Sequence, residues 1–190
     1  MKKLILLAML LPTTALAHGG HVEGSAFMAG LGHPVGGLDH VLAMVAVGLW
    51  AAVTGGRAIW AMPVAFVLAM LAGGALGMAG LPMPGVEPMI VASIVLLGVA
   101  AALAFEPPLV LALAGIAVFG VAHGHAHGAE GPGAGMGLYA LGFALSTAGL
   151  HLAGLAAGFG LVKIEQRMLA RAAGGAVGLG GMALAMGVIG

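Results

Sequence analysis

Charge is scarce in this sequence. Six basic and six acidic residues make up 6% of the 190 residues, against 62% hydrophobic residues. A soluble domain carries about 25% charged residues. So few charges cannot cover the surface of a water-soluble globular fold, which is excluded, and an all-α polytopic membrane protein is expected instead. The same scarcity excludes a nucleic-acid-binding footprint. Cysteine is absent, so disulfides, thiolate metal sites and cysteine nucleophiles are ruled out. Any metal must be held by imidazole, carboxylate, backbone oxygen or thioether. No G-x-x-x-x-G-K-[ST] phosphate loop occurs, so direct coupling to ATP within the chain is not expected. Two residue types are abundant against this background. There are 36 glycines, without a G-X-Y period, and eight histidines, more than either the acids or the bases. Small residues let membrane helices approach closely where lipid supplies no hydrophobic drive to associate.

The N-terminus reads as a secretory leader. Lys2 and Lys3 precede the apolar run Leu4–Leu11, followed by Pro12 and the small-residue cleavage pattern Ala15-Leu16-Ala17. The run is too short to span a bilayer well. Removal of residues 1–17 leaves a mature chain starting His18-Gly19-Gly20-His21 outside the cytoplasm, with residues 18–190 as a single transmembrane domain.

Roughly 20 apolar residues cross the hydrocarbon core as a helix, and six stretches qualify: about 36–54, 58–79, 87–105, 108–127, 136–162 and 169–189. They do not alternate as barrel strands would. The four basic residues beyond the leader are Arg57, Lys163, Arg167 and Arg171. With the N-terminus outside, all four fall in inside loops, as the positive-inside rule asks, and both termini are periplasmic in a bacterial inner membrane. Trp50 and Trp60 flank the first inside loop, where interfacial aromatics are expected, and 163–171 reads as a solvated inner turn. Glu87 and Glu106 sit at span ends and read as interfacial. Met62, Met70 and Met78 read as packing residues. Gly73/Gly77, Gly154/Gly158 and Gly174/Gly178 read as close helix contacts.

Ionisable groups inside spans are costly and mark function. Here they collect at the outer face. The first cluster, His33-Pro34-Val35-Gly36-Gly37-Leu38-Asp39-His40, places its two histidines about 10 Å apart along a regular helix, too far to share one ion. Pro34 disfavours helix at His33, and Gly36-Gly37 permits a break. Either the helix begins near residue 36 with the tail folding His33 back, or the cluster holds two stations. Met44, one turn after His40, offers a thioether. In the second cluster His123, His127 and Glu130 form a stripe at i, i+4 and i+7, while His125 points about 200° away from His123. His18 and His21 either collect metal in the outer tail or belong to an unstructured arm. His151 stands alone in the fifth span near Ser146 and Thr147. It reads either as hydrogen-bonding glue or as a pathway ligand or proton relay. Imidazole and carboxylate ligands without thiolate suit Ni²⁺, Co²⁺, Zn²⁺ or Cu²⁺.

These residues resemble a known family. His33-x5-Asp39-His40 is similar to the H-x5-D-H motif of the HupE/UreJ family, and His123-Gly124-His125-Ala126-His127-Gly128-Ala129-Glu130 to its H-G-x-[AV]-H-G-x-E motif. Both occur in order, with the leader and six-span layout, over essentially the whole chain. The pattern departs in having Ala122, not Phe, before His123; Phe119 lies four residues before it. The resemblance implies a permease for nickel or cobalt that is not an enzyme. It also implies a downstream hydrogenase, urease or cobalamin pathway, with His33, Asp39, His40, His123, His127 and Glu130 on the motif positions. The partners expected are a divalent ion and the bilayer, and homo-oligomerisation is left open. The alternative is a membrane metal-binding protein or metalloenzyme that holds the ion without moving it. The leader reading predicts that purified protein begins at His18, which N-terminal sequencing checks; a chain beginning at Met1 overturns it.

Overall fold

The computed structural model describes residues 22–163 and 167–189. The leader, His18 and His21 lie outside the described residues. Seven helices follow one another among those described: α1 (Val22–Gly36), α2 (Leu38–Thr54), α3 (Ala58–Met78), α4 (Val86–Ala102), α5 (Leu109–Glu130), α6 (Met136–Lys163) and α7 (Arg167–Ala185). All-helical structure is what a lipid-embedded chain requires, since a helix satisfies its backbone polar groups within itself. Four helices are long and apolar enough to cross a membrane: Ala58–Met78, Leu109–Glu130, Met136–Leu161 and Met168–Ala185. A fifth crossing results if α1 and α2, bent by 79° at Gly37, count as one broken span. The protein is an all-α, multi-pass membrane protein.

Several sequence-based boundaries change. The stretch before residue 36, expected as outer tail, is the helix α1, and it runs through Pro34. Proline removes the bond to the carbonyl four residues back. Here the loss falls near the helix end, and Pro34 is fully buried, so packing offsets it. The third expected span, 87–105, is the 17-residue α4, shorter than a full crossing. The fifth helix runs on to Glu130. The turn expected at 163–171 is already helical from Arg167.

Packing is organised around α2. Every residue from Ala46 to Ala52 is buried, as expected of a helix enclosed on all sides, and α2 touches α1, α3, α4, α6 and α7. The most extensive pairings are α3 with α5, α2 with α6, α4 with α7 and α1 with α6. Each is a backbone contact made through glycine. A methyl group at Gly124 would fall on the Met70 carbonyl, and one at Gly73 on that of Val121. Gly30 and Gly142 do the same for α1 and α6, Gly48 and Gly154 for α2 and α6, and Gly98 and Gly174 for α4 and α7. The glycine pairs read from sequence as close contacts are such contacts. Large aliphatics such as Leu68, Val110, Leu152 and Leu179 are exposed on the outside of the bundle, the surface that lipid covers.

Two bonds tie the C-terminal end of α4 and the residues just after it to α2 and α7. Trp50, expected at the interface, is buried and donates from Nε1 to the Phe105 carbonyl at 2.8 Å; Trp60 is exposed. Arg171 donates from Nε to the Ala102 carbonyl at 2.7 Å, a cation at the negative end of a helix dipole. α4 closes with Phe105 N–H on the Ala100 carbonyl and Ala104 N–H on that of Ala101, the double-bonded cap that normally uses glycine. Here Ala104 holds φ at +49°, costing about 1 kcal/mol. Ala104→Gly is therefore expected to stabilise the protein by up to about 1 kcal/mol, seen as a raised thermal midpoint in detergent.

Candidate metal centre

The bend at Gly37 sets the site. Gly37 has extended dihedrals, φ −109° and ψ 125°, which any residue can adopt, so glycine's backbone freedom is not what the break uses. Space is. A methyl group at Gly37 would meet Asp39 Oδ1 at 2.5 Å and His40 Nδ1 at 2.9 Å. The break turns α1 back across the start of α2, so that His33 and His40 lie with ring centroids 6.0 Å apart. Of the two arrangements the sequence allowed, His33 is folded back, by a helix and not a loose tail.

α5 supplies the third imidazole. His127 lies 4.5 Å from His33 and 4.4 Å from His40 between ring centroids, and Nε2 of His40 faces Nε2 of His127. Among the described residues, His33, His40 and His127 each offer a ligand atom, and these atoms all lie within 4.8 Å of one another. His40 and His127 are buried and His33 is exposed, so the cluster opens to one side. Tyr139 and Phe143 of α6 wall it, with Phe143 4.7 Å from His127 and 5.7 Å from His33. A cavity of ≈ 40 Å³ opens beside His127, lined by Met70, Met78, Met136, Tyr139 and Phe143. It is large enough for a single water molecule or ion.

Asp39 stands behind this cluster. Its Oδ1 accepts from His40 Nδ1–H at 2.7 Å. A carboxylate only accepts, so the hydrogen sits on Nδ1 and the Nε2 lone pair is directed at His127. This is the carboxylate–histidine arrangement that orients a metal-binding imidazole and raises its basicity.

The remaining sequence candidates take different places. His123 is fully buried one turn inward of His127, 5.3 Å from His40 between ring centroids. Ser93 donates to the Ile90 carbonyl at 2.6 Å, so its oxygen accepts from His123 Nε2–H at 3.0 Å. The Nδ1 lone pair of His123 is left buried without a partner among the described residues. Glu130 is exposed at the end of α5, outside the three-histidine group. Met44 is fully buried one turn inward of His40. His125 turns away, as its helical face requires, and donates to the Leu81 carbonyl at 2.6 Å. His151 is buried deeper in the bundle. Met62 and Met70 are buried as packing residues should be, but Met70 and the exposed Met78 also face the cavity. Sequence reasoning missed Ser93, Tyr139 and Phe143. They come from helices without a motif, and no spacing rule points to them.

The model of the HupE / UreJ protein family matches residues 6–184. The chain belongs to the HupE/UreJ family. Among curated proteins it is 42% identical over 188 residues to Protein HupE of Rhizobium leguminosarum bv. viciae, covering 96% of this chain and 95% of that protein. No solved structure matches. HupE/UreJ proteins are permeases and not enzymes, and the histidine cluster of this member accords with a general role in metal binding and transport. In this HupE/UreJ chain a methyl group at Gly37 would collide with the Asp39–His40 pair, whereas one at Gly36 would meet nothing within 4 Å. Gly37→Ala should therefore disturb the Asp39–His40 pair at an overpacking cost of about 1–3 kcal/mol and weaken binding of a divalent metal ion, with Ni²⁺ as the probe, while Gly36→Ala leaves it unchanged. Isothermal titration of the detergent-solubilised protein checks the pair.

Proposed function

We propose that this chain takes up a divalent transition-metal cation, nickel or cobalt, across the bacterial inner membrane. The ion enters at the periplasmic ends of the first and fourth spans of a six-span topology. The supporting observation is the convergence of three imidazoles, carried by α1, α2 and α5, within 4.8 Å at one end of an apolar bundle. Imidazole nitrogens suit Ni²⁺ and its neighbours, with Zn²⁺ and Cu²⁺ as competitors. The proposed ligands are His33, His40 and His127. His123 stands next inward, and Asp39 acts through His40. Glu130, at the exposed end of α5, draws the cation in. Asp39 and Glu130 together reduce the cost of bringing a divalent charge to the membrane. An open, partly hydrated ligand set also binds weakly enough for the ion to leave again.

The topology is part of the proposal. A leader removed after Ala17, a single transmembrane domain over 18–190 and periplasmic termini place Arg57, Lys163, Arg167 and Arg171 inside. His18 and His21 then begin a periplasmic arm that collects metal. Delivery to a hydrogenase, urease or cobalamin pathway follows from family resemblance alone.

The test is uptake of radioactive nickel and cobalt into proteoliposomes. The parent protein should accumulate both saturably, and His127→Ala should abolish the uptake. Asp39→Asn keeps the shape but loses the charge that orients His40, and should lower uptake about 10–100-fold. Stoichiometric binding without accumulation would instead make the protein a membrane metal-binding subunit.

A further inference from the structure

His151 is a polar side chain in an apolar place. It lies midway along α6, is 1% exposed, and neither ring nitrogen has a hydrogen-bond partner among the described residues. The hydroxyl one turn earlier makes no bond to it; Thr147 Oγ1 donates to Met70 Sδ at 3.6 Å instead. The hydrogen-bonding glue that the sequence allowed for His151 is therefore not made. A neutral imidazole carries one N–H and one lone pair, and burying both without a protein partner costs stability that an aliphatic residue of similar size would not forfeit. Packing alone does not account for a histidine here.

Its position supplies an account. Phe143 of α6 touches the outer cluster, and His151 lies eight residues further along the helix, about 12 Å deeper. The fully buried ring of Phe66, from α3, sits between the two levels. It meets His123 at 5.5 Å and His151 edge-on at 5.2 Å between centroids. His123 is in turn 5.3 Å from His40. Ring contacts thus run as a chain from the outer cluster through His123 and Phe66 to His151. One turn outward of the Phe66–His151 contact, Met70 and Thr147 make the neighbouring rung between the same two helices. The His151 backbone is fixed against α2, since a methyl at Gly48 would strike its carbonyl.

We infer that His151 is an inner cation station, separated from His123 by the ring of Phe66. The inference rests on the uptake function proposed above. A divalent ion leaving the outer cluster needs a ligand at each stop, because an unligated charge in the bundle is prohibitive. The Nδ1 of His123 and one nitrogen of His151, unpartnered among the described residues, are such ligands. The Phe66 ring closes the route between them and must turn for an ion to pass, its face able to attract a cation in transit.

The experiment compares the parent, His151→Leu and His151→Gln in three measurements: thermal stability in detergent, nickel binding to the solubilised protein, and nickel uptake into proteoliposomes. Leucine removes the unmet polar atoms, so His151→Leu should be as stable as the parent or more so. Binding at the outer cluster should persist in both variants. The maximal uptake rate should fall at least about tenfold in both, with the half-saturating concentration unchanged. Parent-like uptake by either folded variant overturns the inner station while leaving the outer site standing. A parent protein that binds nickel but moves none overturns the uptake function and the station together.

Discussion

Backbone contact between helices is the constraint on which the rest of this structure depends. Lipid is as apolar as the helices themselves, so association relies on close packing and on polar contacts between helices. The glycines of α3 and α5 bring those helices together at Val121, Met70 and Gly74. Gly30 and Gly142 do the same for α1 and α6, which is why Tyr139 and Phe143 wall the histidine cluster. With bulkier residues at these positions the helices would stand further apart, and imidazoles from α1, α2 and α5 would not share one site.

On that scaffold, one break in one helix gathers the ligands. A continuous helix would hold His33 and His40 about 10 Å apart; the 79° bend at Gly37 brings their rings to 6.0 Å. The same residue leaves room for Asp39 to reach His40 Nδ1. Geometry and tautomer are set together, since the bond from Asp39 leaves Nε2 of His40 available on the side facing His127. Non-helical backbone at membrane depth is tolerated where it lines a polar cavity.

Inward of the cluster, the polar groups thin out in order. His40 is satisfied by Asp39, His123 is half-satisfied by Ser93, and His151 has no partner among the described residues. Each unmet nitrogen costs stability in a protein that otherwise fills its interior with alanine, methionine and leucine. Such groups are characteristic of pathways and not of packing.

The sequence by itself determined the membrane class, the helical content and the two polar clusters near the ends of apolar stretches. It did so because hydropathy and helical period are properties of local stretches. The i, i+4 spacing placed His123 and His127 on one face and turned His125 away, as the bond to Leu81 bears out. The sequence did not determine that residues before 36 form a helix through Pro34, because burial overrode a local proline preference. Nor did it separate Asp39, which orients an imidazole, from the histidines that meet, or find Ser93, Phe66, Tyr139 and Phe143. Those residues carry no periodic signal. They take their roles only when helices distant in sequence are brought into contact, and that contact is decided by backbone approach at glycine, which only the tertiary structure reveals.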